Sequence, residues 1–319
     1  MSISKLDRQI IECLQREPQM SNRAIAREAG VTQQTVANRI KAMVDGRIMR
    51  VMVQRDLVAA GYPILAFAGI SVDALPIAAT AKSLAAMTEI FSITICPGSP
   101  EILANVNVRS ADDLPLIETA IRGVEGVTDC QLTICETVHK FVAGAGDLAS
   151  EIGPFSPAHR QEDLDEAIIE LLVDDGRLSN REVGRRVGIS EGSVRARLKR
   201  LTADRVIRLG IVCEPDRVGY DAAAYIFFKG SRAAVETALA NLTGRDEVNF
   251  AATAQGAYDG VLMCVADKST TLPQLCIEDL RSIEGIGEIA FRPLLRTVKH
   301  RFDYIHIGGE RAPHPPPEG

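Results

Sequence analysis

The sequence predicts an α+β chain built as a tandem repeat, in which a winged helix-turn-helix followed by a ferredoxin-like βαββαβ unit occurs twice. Three observations carry this. LDRQIIECL at Leu6–Leu14 is answered by LDEAIIELL at Leu164–Leu172, an offset of 158 residues. The same offset, without a gap, aligns Ser21-Asn22-Arg23 with Ser179-Asn180-Arg181, Gly30 with Gly188, Arg39 with Arg197, Lys41 with Lys199 and Gly61-Tyr62 with Gly219-Tyr220. A register held that long is an internal repeat. Second, the first third of each copy has helical periodicity with caps and a glycine turn. Third, the remainder alternates apolar strands with helices in the order βαββαβ.

In order along the chain, Leu6, Ile10, Ile11 and Leu14 share one helix face, as do Leu164, Ile168, Ile169 and Leu172. A second helix starts at Ser21 or Ser179, whose hydroxyl can cap its first turn. Gly30 and Gly188 suit the left-handed residue that ends a helix, and Thr32 and Ser190 suit the cap of the next. The third helix buries Val36, Ile40 and Met43, or Val194, Leu198 and Leu201. Three short helices with a tight glycine turn before the third form the helix-turn-helix layout. Gly46–Arg50 and Asp204–Arg208 read as a turn into a short strand, a small wing.

Copy one continues with strands at Ile64–Val72, Ile90–Cys96, Glu101–Arg109 and Val127–Val138, and helices at Leu75–Met87 and Ala111–Arg122. In copy two the strands are Ala222–Lys229, Glu247–Ala254, Asp259–Ala266 and Gly287–Val298, and the helices Ala233–Leu242 and Leu272–Ser282. Such a sheet carries both helices on one face, so its other apolar face needs a cover, and pairing with another copy is the expected one. The implied bounds are 1–62 and 164–220 for the helix-turn-helix domains and 63–143 and 221–307 for the βαββαβ domains. A linker covers 144–163, and the Pro-rich tail 308–319 is expected to be disordered.

The third helix of copy one turns Gln34, Asn38 and Lys41 outward, flanked by Gln33, Thr35 and Arg39. Gln and Asn can pair bidentately with adenine in the major groove, and Arg or Lys suits guanine or phosphate. Copy two presents Lys199 with Ser193, Arg195, Arg197 and Arg200. The net charge of −6 argues against nucleic acid only until it is mapped. Ser21–Arg50 carries +4 and Arg177–Arg208 carries +7, leaving −17 for the rest. Two basic heads on acidic bodies predict double-stranded DNA as partner.

Composition excludes other classes. At 46% hydrophobic and 24% charged, with 4% aromatics and no Trp, the chain is ordinary and globular. No apolar run is long enough for a membrane helix, and the start lacks a signal-peptide layout, so no membrane partner and a cytoplasmic location are expected. The seven cysteines (13, 96, 130, 135, 213, 264, 276) form no CxxC pair and have no zinc spacing, so they read as buried thiols, without metal or cofactor.

At this point the residues resemble the Lrp/AsnC (feast/famine) regulators: LDxxIIxxL, SNRxxxRxxG, the basic third helix, GY before the first strand, and the [VI]-EG-[VI] lead into the last strand. The resemblance covers both copies almost end to end. It implies a sequence-specific DNA-binding transcriptional regulator whose βαββαβ domain (the family's RAM domain) dimerises, assembles into homo-oligomers and binds an amino acid or similar small effector. The family's effector turn, a glycine followed three residues later by an acidic one, corresponds to Gly98 and Glu101, and to Gly256, Tyr258 and Asp259. Copy one departs by carrying Ser99-Pro100 and Glu101. Family members usually have one copy per chain, so a fused pair implies two unlike half-sites.

Two other readings stand beside this. The layout also resembles the siroheme decarboxylases, built from similar subunits. Against an enzyme, the five His (139, 159, 300, 306, 314) lie in a last strand, the linker or the tail, outside the central strands expected to line a tetrapyrrole pocket. No Ser-His-Asp set, paired carboxylates or phosphate loop suggests other catalysis, and the expectation is a non-enzyme. The third reading is a small-ligand sensor that has lost DNA binding.

Overall fold

The computed structural model describes residues 3–73, 76–142 and 163–307. The linker and tail read from the sequence lie outside these, apart from Asp163. Copy one opens with α1 (Lys5–Arg16), α2 (Asn22–Ala29) and α3 (Gln33–Asp45), then β1 (Met49–Asp56). Each start is capped: Ser4 and Asp7 form a capping box, the Ser21 hydroxyl accepts from the Ala24 amide, and Thr32 accepts from the Thr35 amide. Gly30 ends α2 at φ +68°, the left-handed conformation that glycine adopts without a Cβ penalty. Ile10, Ile11, Leu14, Ile25, Val36 and Met43 form the head's core.

The body of copy one is β2 (Ile64–Val72), α4 (Ile77–Ala85), β3 (Ile90–Ile95), β4 (Ile102–Val108), α5 (Asp113–Arg122) and β5 (Val127–Phe141). Copy two repeats the head as α6 (Asp163–Asp174), α7 (Asn180–Val187), α8 (Glu191–Ala203) and β6 (Ile207–Cys213), followed by a helical turn α9 (Pro215–Val218). Its body is β7 (Ala222–Gly230), α10 (Arg232–Leu242), β8 (Val248–Gly256), β9 (Gly260–Ala266), α11 (Thr271–Gln274), β10 (Ile286–Pro293) and β11 (Arg296–His300), with a short β12 (Tyr304–Ile305) at the end. The helix expected at Leu272–Ser282 starts as α11 and widens into a π-helical stretch, Leu275–Leu280.

The predicted strand after each third helix runs longer than the sequence reading and pairs with its counterpart. β1 and β6 are antiparallel from Met49 opposite Cys213 to Arg55 opposite Ile207, and β12 adds to β1 in parallel. This ribbon joins the two heads. Ile211 and Cys213 of β6 complete the core of the first head, and Val53 of β1 completes that of the second.

The bodies form one nine-stranded sheet, ordered β10-β7-β9-β8-β5-β2-β4-β3-β11. Each last strand begins on its own copy and ends on the other. β5 starts against β2 and finishes against β8, running to Phe141 rather than the expected Val138. The strand expected at Gly287–Val298 is broken at Leu294-Leu295, where it leaves β7 and joins β3. Two buried lysines fasten the exchange: Lys140 donates to the Arg245 carbonyl at 2.8 Å, and Lys299 to the Met87 carbonyl at 2.9 Å.

Helices α4 and α5 cover one outer face, and α10 and α11 the other. Between the inner faces, Leu65, Phe67 and Leu103 of copy one meet Phe227, Phe250 and Val261 of copy two. The sheet-to-sheet cover expected from oligomerisation through the βαββαβ domains is thus made inside one chain, and that face is not open to a second chain.

Candidate functional site

On α3, Gln33, Gln34, Asn38 and Lys41 are exposed. Gln34 Nε2 donates to Asn38 Oδ1 at 2.8 Å, and Lys41 pairs with Asp45 at 2.6 Å. Thr35 is half-buried, its hydroxyl 2.8 Å from that of Thr32. On α8, Ser193, Arg195 and Lys199 are exposed. Arg195 pairs with Glu191 at 2.8 Å, and the Ser193 hydroxyl lies 2.9 Å from that of Ser190. The exposed Glu191 occupies the repeat position of Gln33 and escaped the sequence reading. A carboxylate there is an acceptor suited to cytosine N4.

Arg39, Arg197 and Arg200 are employed differently from the expectation. Arg39 grips Asp7 of α1 with two nitrogens, its Nε donating at 2.7 Å, and Asp7 is 1% exposed. Arg197 donates at 2.6 Å to Asp165, which is fully buried, and Arg200 bonds the same carboxylate. These arginines tie the third helix to the first. Burial by itself raises the Asp7 carboxyl, but the Arg39 and Ser4 hydrogen bonds outweigh it and hold it below its ordinary value. The signal was present in the sequence: Asp7 and Asp165 repeat at the same offset as Arg39 and Arg197.

A second set of arginines sets the spacing between heads. Arg177 donates to the Pro18 and Met20 carbonyls and, at 2.8 Å, to Asn22 Oδ1. Arg50 reaches the Asp174 carbonyl at 2.9 Å, and Arg208 reaches Gln54 at 3.0 Å. Burial lowers the pKa of Arg208 to about 10. These residues were counted as basic surface, yet much of their charge is spent between the heads.

The two turns proposed from the resemblance are formed at Gly98 (φ +83°) and Gly256 (φ +105°). Glu101 accepts from the Val72 amide at 3.0 Å, and Asp259 from the Gly230 amide at 2.9 Å, so each acid pins the end of its copy's first strand. A Cβ on Gly256 would lie 2.5 Å from the Leu132 carbonyl, so this turn is packed onto β5. Tyr258 lies tilted against Phe227, ring centroids 5.4 Å apart, with Lys229 over its ring and Glu288 at 3.4 Å.

A cavity of about 110 Å³ opens between the inner sheet faces at the end nearest the heads. Phe67, Tyr225, Phe250, Asn107, Asn249 and His300 are among its walls. The expectation that no histidine faces such a pocket is corrected here: the exchange of the last strand carries His300 and Arg301 into it. Arg301 is held by Asp303 at 2.6 Å within a buried ion pair. The cysteines are free thiols, and burial raises Cys96 to about 11. Among the described residues no group of His, Cys, Asp and Glu is arranged to hold a metal, and no helix is long and apolar enough to cross a membrane.

Comparison with known proteins matches residues 3–44 and 162–202 to the AsnC-type helix-turn-helix domain. An uncharacterised HTH-type transcriptional regulator of Pyrococcus horikoshii is 31% identical over 155 residues, 48% of this chain and 97% of its own. The leucine-responsive regulatory protein of Rhizobium meliloti is 29% identical over 140 residues, 43% of this chain and 90% of its own. Each such relative corresponds to about half of this chain. Among solved structures, the siroheme decarboxylase NirDL covers 93% of both chains with a TM-score of 0.62 and 16% identity, a likeness of fold.

Proposed function

The chain belongs to the Lrp/AsnC family of transcriptional regulators, with two family copies in tandem, and from that premise we propose that it binds double-stranded DNA through both heads at once. One observation carries this reading: α3 and α8 show unlike exposed faces on heads fixed to each other by the β1–β6 ribbon. Gln34 and Asn38 suit adenine, whereas Arg195 and Lys199 suit guanine or phosphate. A one-copy relative would need two chains to present two heads; here one chain does so, and its half-sites need not match. The DNA-binding set is then Gln33, Gln34, Asn38, Lys41, Glu191, Ser193, Arg195 and Lys199, with Thr35 capping and Arg39, Arg197 and Arg200 positioning. The turns at Gly98 and Gly256 take an amino acid or similar small effector, copy two being nearer the family pattern. The test is a mobility shift on the protein's own upstream DNA over a salt series. A steep fall of affinity with salt, together with preference over random DNA, is expected. Binding indifferent to sequence overturns the reading.

A second reading is an enzyme of the siroheme-decarboxylase kind. It is favoured by the fold likeness over 93% of both chains to NirDL, one structure of which holds an iron-uroporphyrin III analogue, and by His300 and Arg301 in the cavity. A cavity of about 110 Å³ is far too small for a tetrapyrrole, which weighs against it. Incubation with siroheme separates the two: tight binding in the visible spectrum with release of carbon dioxide replaces the regulator reading, and an unchanged siroheme spectrum upholds it.

A further inference from the structure

Helices α3 and α8 end alike, on a backbone conformation that their sequences resist. The Ile48 amide donates to the Met43 carbonyl at 2.8 Å and the Arg47 amide to the Val44 carbonyl at 3.0 Å; in copy two Val206 donates to Leu201 at 2.9 Å and Arg205 to Thr202 at 3.1 Å. This pair of bonds closes a helix on a left-handed residue, the place that glycine ordinarily holds. Here arginine holds it in both copies, Arg47 at φ +53° and Arg205 at φ +55°, and among the described residues no other non-glycine has a positive φ. The Cβ of each arginine crowds its own backbone, a cost that glycine avoids at the ends of α2 and α7. The flanking residues differ between the copies, Gly46 against Asp204 and Ile48 against Val206, so the arginine is kept where its neighbours are not. Strain held at both repeat positions points to a use beyond the fold.

Both arginines are exposed. Among the described residues neither guanidinium is in an ion pair or a hydrogen bond. Arg50 and Arg208, three residues further on, are instead spent between the heads. We propose that Arg47 and Arg205 each hold a backbone phosphate of the bound duplex, one at each head; the assignment rests on the DNA-binding reading above. Helix length supports it. α3 and α8 have 13 residues each, about 20 Å of helix, against a major groove about 12 Å wide. A straight helix whose first turns read bases leaves the groove before its end, and its last residues come out beside the phosphates that border it. Arg47 and Arg205 stand on the turns that follow. These turns lie at opposite ends of the β1–β6 ribbon, Arg47 two residues before Met49 and Arg205 two before Ile207. The seven residues of β6 separate them by about 20 Å or more, so they reach different phosphates.

The test compares Arg47→Gly, Arg205→Gly and the double variant with the wild-type full chain. Fluorescence anisotropy over a salt series is read on the protein's own upstream DNA and on a duplex of random sequence, and thermal unfolding is read without DNA. Each glycine raises the melting temperature, because the left-handed turn loses its strain, yet lowers the salt slope by about one and the affinity at physiological salt about fivefold. The double variant loses about two in slope. The loss is equal on the two duplexes, since a phosphate contact carries no sequence information. Arg47→Lys, which keeps both charge and strain, keeps the slope. An unchanged slope in the double variant, a glycine variant less stable than the wild type, a slope lost in Arg47→Lys, or a loss confined to the upstream DNA overturns the assignment and leaves DNA binding by α3 and α8 standing. A wild type that binds neither duplex overturns the DNA-binding reading and this assignment with it.

Discussion

Arg39 and Lys41 sit two residues apart on the same helix in opposite settings, Arg39 paired with the buried Asp7 and Lys41 exposed, and the proposed function gives them opposite work. Arg39→Ala strips Asp7 of its guanidinium while leaving the carboxylate 1% exposed, with only the Ser4 amide and hydroxyl, at 2.8 and 2.7 Å, as donors. Removing one partner of a buried pair costs about 3–5 kcal/mol. The two Ser4 donors and the 28% exposure of the Arg39 side chain place this case at the lower end, about 3 kcal/mol. The pH dependence follows from the same contacts. In the wild type the folded Asp7 pKa lies below the unfolded one, so its contribution is present above the unfolded value and is lost as pH falls through the folded value. In the variant burial dominates and raises the pKa, so acid protonates Asp7 and narrows the deficit. Lys41→Ala, at a side chain 73% exposed, changes stability by less than about 0.5 kcal/mol but lowers the salt slope of DNA binding by about one. Urea unfolding at pH 7 and pH 4, paired with fluorescence anisotropy over a salt series, reads both. A stable Arg39→Ala with a salt slope reduced by one would refute the division of labour.

Two further outcomes follow. Lys299 is 1% exposed, and burial, with Arg301 nearby, brings its pKa from 10.5 down to about 8, which corresponds to about 3 kcal/mol of penalty while it is charged. Lys299→Met removes that penalty but orphans the Met87 carbonyl at about 1–2 kcal/mol, so the variant is more stable by about 1–2 kcal/mol at pH 7. Between pH 8 and 10.5 the unfolded wild type binds more protons than the folded one, so wild-type stability rises relative to the variant by about 1.4 kcal/mol per pH unit and the order reverses at about pH 9; thermal unfolding of both at about pH 7 and about pH 10 checks this, and a constant difference contradicts it. Asn38→Ala relaxes base preference in one half-site only, by about 1–3 kcal/mol of discrimination, whereas Arg195→Ala weakens binding more evenly; competition with single-base variants of the target DNA distinguishes them.

Much of the heads was legible because their determinants are local. Ser21, Gly30 and Thr32 each specify a cap or turn within four residues, and Val36, Ile40 and Met43 mark the buried face. Strand order in the bodies was legible for the same reason. The exchange of last strands was not: Leu294-Leu295 carries no turn signal, and whether Arg296–His300 continues along β7 or crosses to β3 is decided by pairing partners about 200 residues away in sequence. The candidate site split along the same line. The outward face of α3 follows from helical spacing, but the inward turn of Arg39 depends on Asp7, 32 residues earlier. The cavity joins Asn107, Asn249 and His300 from β4, β8 and β11, which no window of sequence brings together. The π-helical widening at Leu275–Leu280 has no signal in the sequence pattern.

Two unlike DNA-reading heads held in fixed relation on one chain, as proposed above, can be sought in a single experiment. It is the selection of bound sequences from a random DNA pool by the full chain, with the chain-to-DNA ratio fixed by light scattering. One chain per site and two different half-sites at constant spacing, about one helical turn between centres, are the expected outcome, with affinity lost when one half-site is inverted. A palindrome of identical half-sites, or a pool with no enriched sequence, would contradict it.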